Sequence, residues 1–90
     1  MDKVIITVVG KDTVGIIAKV CTYLADHKIN ILDISQTIVQ EYFNMMMIVD
    51  GSGANVSFDE MASGLDEIGT GIGVNIKCQR EEIFTKMHRI

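Results

Sequence analysis

Positive charge is scarce in this chain: 8 lysines and arginines stand against 12 aspartates and glutamates in 90 residues, a net charge of -4 at pH 7. A phosphate backbone calls for a basic stripe, so direct binding of nucleic acid is not expected. Long apolar runs are missing as well. No stretch approaches the ~20 residues of a bilayer crossing, and Met1-Asp2-Lys3 passes straight into Val4-Ile5-Ile6 without a secretory signal's charged region and cleavage site. The expected location is the cytoplasm, with no membrane partner. Cysteine is limited to Cys21 and Cys78, far apart, which excludes a disulfide framework or clustered metal site and leaves both as buried small hydrophobes.

What is present is apolar and regular. A hydrophobic fraction of 48% without polar low-complexity tracts can offset the entropy of ordering, and 90 residues suffice for one core but not two. Lys3 to Val9 is a β-branched run closed by Gly10 and predicts a central strand. From Val14 to about Lys28, Ile17, Val20, Cys21 and Leu24 recur at helical spacing, with Asp12 or Thr13 as N-cap. Ile29 to Gln40 and Phe43 to Val49 predict a hairpin that turns at Glu41-Tyr42. Ser57 caps a second helix whose apolar stripe is Phe58, Met61, Ala62, Leu65 and Ile68, ending at Gly69. Val74 to Gln79 alternates as a last strand, and Glu81 to Ile90 has the pattern of a short amphipathic helix with Ile83, Phe84 and Met87 on one side.

Strand, helix, strand, strand, helix, strand is the ferredoxin-like βαββαβ order of an α+β domain, here over residues 1–80 with a C-terminal helical extension at 81–90. Both helices lie on one face of an antiparallel sheet. Yet the first and third strands are apolar at both parities, so the other face needs a cover, either the C-terminal helix or a second copy. The topology also leaves the second strand as an unpaired edge. A homodimer or higher even assembly is the expectation.

Chemistry is conspicuous by what the motifs omit. There is no catalytic pair of acids, no serine, histidine and acid motif, and no metal spacing, so neither enzyme activity, metal nor cofactor is expected. His27 and His88 read as solvated residues at helix ends. Gly69-Thr-Gly-Ile-Gly73 follows a helix and enters a strand, the reverse of a phosphate cradle, and reads as a flexible turn. The aromatic platforms of an RNA-recognition domain are replaced by Met and Val, and a copper chaperone's Cys-x-x-Cys is missing from the first loop.

The first loop is the exception. Gly15 falls in the first turn of the first helix, where a missing Cβ either admits a ligand or a neighbouring chain to the amides of Val14, Gly15 and Ile16 or permits close packing of helix on strand. Gly10-Lys-Asp-Thr-Val-Gly-Ile-Ile17, the strand opening Ile29-Asn30-Ile31-Leu32-Asp33 and the element order together resemble the ACT domain, a ligand-binding regulatory module, from Val4 to about Gln79. The chain looks closest to small stand-alone ACT proteins similar to the regulatory domains of the glycine-cleavage repressor type. The resemblance implies an amino acid bound at a subunit interface, between the first loop of one domain and the second strand of its partner. By position, the loop contacts fall on Asp12, Thr13, Val14, Gly15 and Ile16 and the strand contacts on Asn30, Ile31 and Asp33. Val14 departs from the proline that many members carry. With no enzyme or DNA-binding domain attached, whatever the module regulates is expected on a separate chain. The competing reading is a homo-oligomerising interaction module without a small ligand.

Overall fold

The β-branched run near the start of the chain occupies the middle of its sheet, as its apolar character at both parities requires. A computed structural model describes residues 1–11 and 14–81. The elements are β1 (Lys3–Lys11), α1 (Ile16–Asp26), β2 (Asn30–Val39), β3 (Tyr42–Asp50), α2 (Phe58–Ile72) and β4 (Val74–Arg80). The four strands form one antiparallel sheet in the order β2-β3-β1-β4, the ferredoxin-like arrangement expected from the element order. Residues 82–90, where a C-terminal helix is predicted, lie outside the described residues, as do Asp12 and Thr13.

Register separates the two faces of the sheet. Val4, Ile6 and Val8 of β1 pair with Val49, Met47 and Met45 of β3, and all six side chains are fully buried. They meet Ile16, Val20 and Leu24 of α1 and Met61 and Leu65 of α2 in one core. Burial of each large apolar side chain is worth about 1.5 to 3 kcal/mol, so this layer carries most of the stability. The opposite face holds the alternate residues: Ile5 with Ile48, Thr7 with Met46, Val9 with Asn44.

Both helices depart from the predicted bounds for identifiable reasons. α1 starts at Ile16 rather than Val14, and its N-cap is Gly15, not Asp12 or Thr13. Gly15 has φ 91°, a left-handed backbone that glycine adopts freely. Its inward stripe is Ile16, Val20 and Leu24, whereas Ile17 is exposed. α2 does begin at a Ser57 cap, with a reciprocal box in which Ser57 Oγ accepts from the Glu60 amide at 3.2 Å and Glu60 Oε1 accepts from the Ser57 amide at 3.2 Å. It does not end at Gly69. The predicted flexible turn at 69–73 is instead the last turn of α2, closed by Gly73 at φ 89° whose amide donates to the Gly69 carbonyl at 2.8 Å. Gly69 is a packing residue: a Cβ there would stand 2.7 Å from the Val74 carbonyl oxygen.

Smaller corrections follow the same logic. β1 continues through Gly10 to Lys11, because a Cβ at Gly10 would meet the Val74 side chain at 2.8 Å and glycine alone fits between the strands. The hairpin turns at Gln40-Glu41, with Gln40 at φ 58°, so Tyr42 already belongs to β3. Cys21 and Cys78 are half-buried against the core rather than wholly inside it. His27 does sit at the end of α1 but is partly buried, its ring 4.3 Å from that of Tyr23 and its Nδ1 3.0 Å from Asn55 Oδ1.

Candidate ligand-binding site

The predicted site has two halves, and one chain holds them at opposite ends of the sheet. β1 delivers the first loop beyond Lys11, at the end where Val39, Tyr42 and Val74 also lie. Asn30 pairs with Asp50, which pairs with Lys3, at the other end. Eight residue steps separate Lys3 from Lys11 along β1, which at about 3.3 Å per residue is roughly 26 Å. No single small ligand spans that.

In the loop half, Val14 is fully exposed, Gly15 partly so, and Ile16 buried. The Ile16 side chain belongs to the core, so only its backbone faces the loop. Gly15 owes its place to its positive φ and not to close packing, since a Cβ there meets nothing within 4 Å. The Lys19 amide donates to the Gly15 carbonyl at 3.0 Å and closes the first turn, and among the described residues no side chain caps the helix. The amides at this entrance therefore carry the partial positive charge of the helix start. A Lys11 to Glu41 ion pair at 3.4 Å ties the same end of β1 to the hairpin tip.

In the strand half, Asn30 and Asp33 are exposed, while Ile31 is partly buried against the core. A register irregularity between Ile31 and Asp33 decides this. Ile31 pairs with Val49 on the helix side; strict alternation would return Asp33 to that side, but the extra residue, Leu32, places Asp33 opposite Ile48 on the open face. The sequence holds a signal for it that escapes a simple strand assignment. Ile29 and Ile31 are apolar at odd positions, Ile34 and Ile38 at even ones, so the parity slips between them. Asp50 adds charge beside Asn30; its carboxyl is held below the usual carboxylate range chiefly by the Ser52 amide, which donates to Oδ1 at 2.9 Å. This end of the open face carries the carboxylates of Asp33 and Asp50, with Lys3 paired to Asp50, and Asp33 is the acid that could meet an ammonium.

Neither of two surface clefts coincides with the predicted residues. The larger, about 710 Å³, lies among Met1, Asp2, Lys3, Asp50, Arg80 and Glu81. The smaller, about 350 Å³, runs between the helices past Ala18, Thr22, Tyr23 and Ile68. Among the described residues no group of histidine, cysteine and acids is placed to hold a metal, no polar side chain is buried, and no helix is long and apolar enough to cross a membrane.

Similarity to known proteins agrees with this architecture. A UPF0237 protein of Bifidobacterium longum is 67% identical over the full length of both chains. The structure of an ACT domain protein from Streptococcus pneumoniae superposes with a TM-score of 0.81 at 41% identity, covering 92% of this chain and 93% of that one. The fold also matches that of a glycine cleavage system transcriptional repressor, with a TM-score of 0.76 at 23% identity over 87% of this chain and 44% of the other. With the ACT-domain family model matching residues 2–79, the chain belongs to the ACT-domain family.

Proposed function

We propose that the chain is a regulatory module that binds a free amino acid between two copies of itself, the first loop of one facing the start of β2 of the other. The observation that carries this reading is the separation of the two halves, with an unpaired strand edge between them. A two-fold that runs β2 of one copy antiparallel to β2 of the other brings the Asn30 end of one chain beside the Val39 end and α1 entrance of its partner. Opposite charges then come together. The amides of Val14, Gly15 and Ile16 receive the ligand carboxylate, Asp33 and Asn30 receive the ammonium, Ile31 lines the strand side, and Asp12 and Thr13 complete the loop. Exposed apolar residues support the same contact: Ile34 and Ile38 project from β2 on the helix side, and Val14 and Ile17 stand exposed at the start of α1. The ligand acts by its differential affinity for two assembly states, and the regulated activity resides on another chain.

Thermal shift against the individual amino acids tests the reading, because a ligand at 100 times its Kd adds about 2.7 kcal/mol. Gly15→Asn then separates binding from folding, since asparagine tolerates a left-handed backbone yet adds a side chain beside the amides. The expected result is a parent-like melting temperature with the ligand shift abolished, and abolished likewise in Asp33→Ala. No shift with any amino acid at millimolar concentration, in a chain that still assembles, identifies an interaction module without a ligand.

A further inference from the structure

The outer edge of β2 has a fixed hydrogen-bonding parity. Val39 pairs with Tyr42 across the two-residue turn Gln40-Glu41, and the pair that closes such a turn exchanges both of its backbone bonds. Counting back along the unbroken register, Thr37, Ser35 and Asp33 likewise turn their amides and carbonyls toward β3, where they face Asn44, Met46 and Ile48. Ile34, Gln36 and Ile38 lie between them and turn theirs outward, to the side where β2 has no neighbour among the described strands. Their side chains stand on the helix side, opposite Met47, Met45 and Phe43, and all three are exposed.

Only residues whose backbone groups point outward can exchange bonds with a second copy, so an antiparallel two-fold along this edge admits few alignments. Centred on Gln36, it sets Ile34 opposite Ile38 of the second copy and Ile38 opposite Ile34, with Gln36 opposite itself between them. On the open face Ser35 falls opposite Thr37. Apolar meets apolar, amide meets amide and hydroxyl meets hydroxyl, the cross-strand combinations that stabilise a sheet. A shift of two residues in either direction sets an isoleucine against Gln36 at both symmetry-related positions. The one charge of the strand agrees with the central alignment. Asp33 then lies opposite Val39, so the two Asp33 carboxylates stand roughly 20 Å apart along the strands, and every shift toward the start of β2 brings them closer.

Resting on the reading that two copies meet along β2, we infer that the two-fold axis passes through Gln36 and joins the two sheets into one, with the helices of both copies on the same side. The alignment adds a residue to the shared site. Val39 of the second copy faces Asp33 on the open face and forms an apolar wall beside the acid that receives the ammonium. Because the axis relates the copies, each of the two sites gains the same wall.

Two NMR measurements on the full chain, with no substitution, separate the register from the reading beneath it. Amide exchange over a range of concentrations reports the contact. The N–H groups of Ile34, Gln36 and Ile38 should exchange severalfold more slowly as the chain assembles, while those of Ser35 and Thr37, bonded to β3, stay protected throughout. A mixture of labelled and unlabelled chains, filtered for nuclear Overhauser contacts between molecules, reports the register. The α-protons of Ser35 and Thr37 should meet across the interface, since opposed residues that do not exchange bonds hold their Cα atoms about 4.5 Å apart. A Ser35 to Ser35 or Thr37 to Thr37 contact, with the outward amides still slowed, would overturn the register and leave the shared β2 edge standing. Outward amides that exchange alike at every concentration would overturn both.

Discussion

The two edges of the sheet are built to opposite ends. β4 is seven residues long, keeps Val74 and Ile76 buried under α2, and presents Lys77 and Arg80 to solvent. β2 is ten residues long, exposes every residue but Ile31, and has Asp33 as its one charge. The difference lies in the helices. Gly69 lets α2 press directly against Val74 and Ile76, so β4 is held from above. No described helix covers β2 in the same way: Ile34 and Ile38 face the helix side yet remain 41% and 55% exposed. A soluble chain ordinarily blunts such an edge with lysine, proline or a short strand. β2 has none of these, only the irregularity around Leu32, and the proposed association of copies rests on that long exposed edge, whereas β4 belongs to the fold.

The largest expected effect comes from exchanging equivalent truncations between the edges. Ile76→Ala on β4 opens a cavity against α2 and should cost about 2 to 5 kcal/mol in urea unfolding of the monomer. Ile38→Ala on β2 should cost within about 1 kcal/mol by the same measurement. Equal losses would erase the distinction between a folding edge and an associating one.

Next in size is a pH dependence that β4 introduces and β2 does not. Burial pushes the Cys78 thiol from its ordinary 9.0 up to about 11. The unfolded chain releases this proton near 9 and the folded chain near 11, so the contribution is fully present below pH 9 and is lost as pH rises through 11. A difference of that size corresponds to roughly 2 to 3 kcal/mol once both states are ionised. Denaturation midpoints followed from pH 8 to pH 11 should fall, and Cys78→Ala should flatten the fall. Tyr23 titrates late as well, for reasons of burial first and the nearby Glu60 second, and so contributes a residual slope in the variant.

The entrance of α1 supplies a smaller effect. Gly15→Ala places a Cβ on a left-handed backbone and should cost about 1 to 2 kcal/mol although the space around it is open. Gly15→Asn should recover most of that. Chemical denaturation of the two variants separates a conformational requirement from a packing one, because a packing requirement would penalise the larger asparagine more.

How much of this could be read in the sequence depends on whether a residue's role was periodic or singular. The alternation of β4, the stripe of α2 and the double-sided runs of β1 and β3 repeat a period, and they led to the element order and to the core face. Glycine does not announce its role. Gly69 and Gly73 look like breakers in a row, yet one packs under β4 and the other caps α2, and only the position of Val74 distinguishes them. Gly15 was legible as special but not why: a close approach and a positive φ leave the same letter. The strand residues of the proposed site were named without the slip of parity around Leu32, which is what turns Asp33 outward. That the two halves stand at opposite ends of the sheet follows only from the pairing of β2 with β3 and β1.

The smallest expected effect on the fold is also the sharpest test of the β2 edge. Ile38→Lys adds a charge to a side chain that is 55% exposed, paired with Phe43 and remote from the center of the core. Lysine can lay its stem along the strand and keep its ammonium in water, so monomer stability should change by about 0.5 kcal/mol or less. Across a two-fold the same change acts twice, since each copy brings its own lysine to one shared interface. Burying either ammonium without a partner is costly, and two like charges repel, so association through β2 should weaken far more than folding does. Sedimentation equilibrium over a range of concentrations should therefore shift the variant toward monomer, while its urea midpoint at low concentration matches the parent. A variant that assembles with unchanged affinity would move the contact away from β2 and return the open face beyond Val9 and Met46 as the place where copies meet.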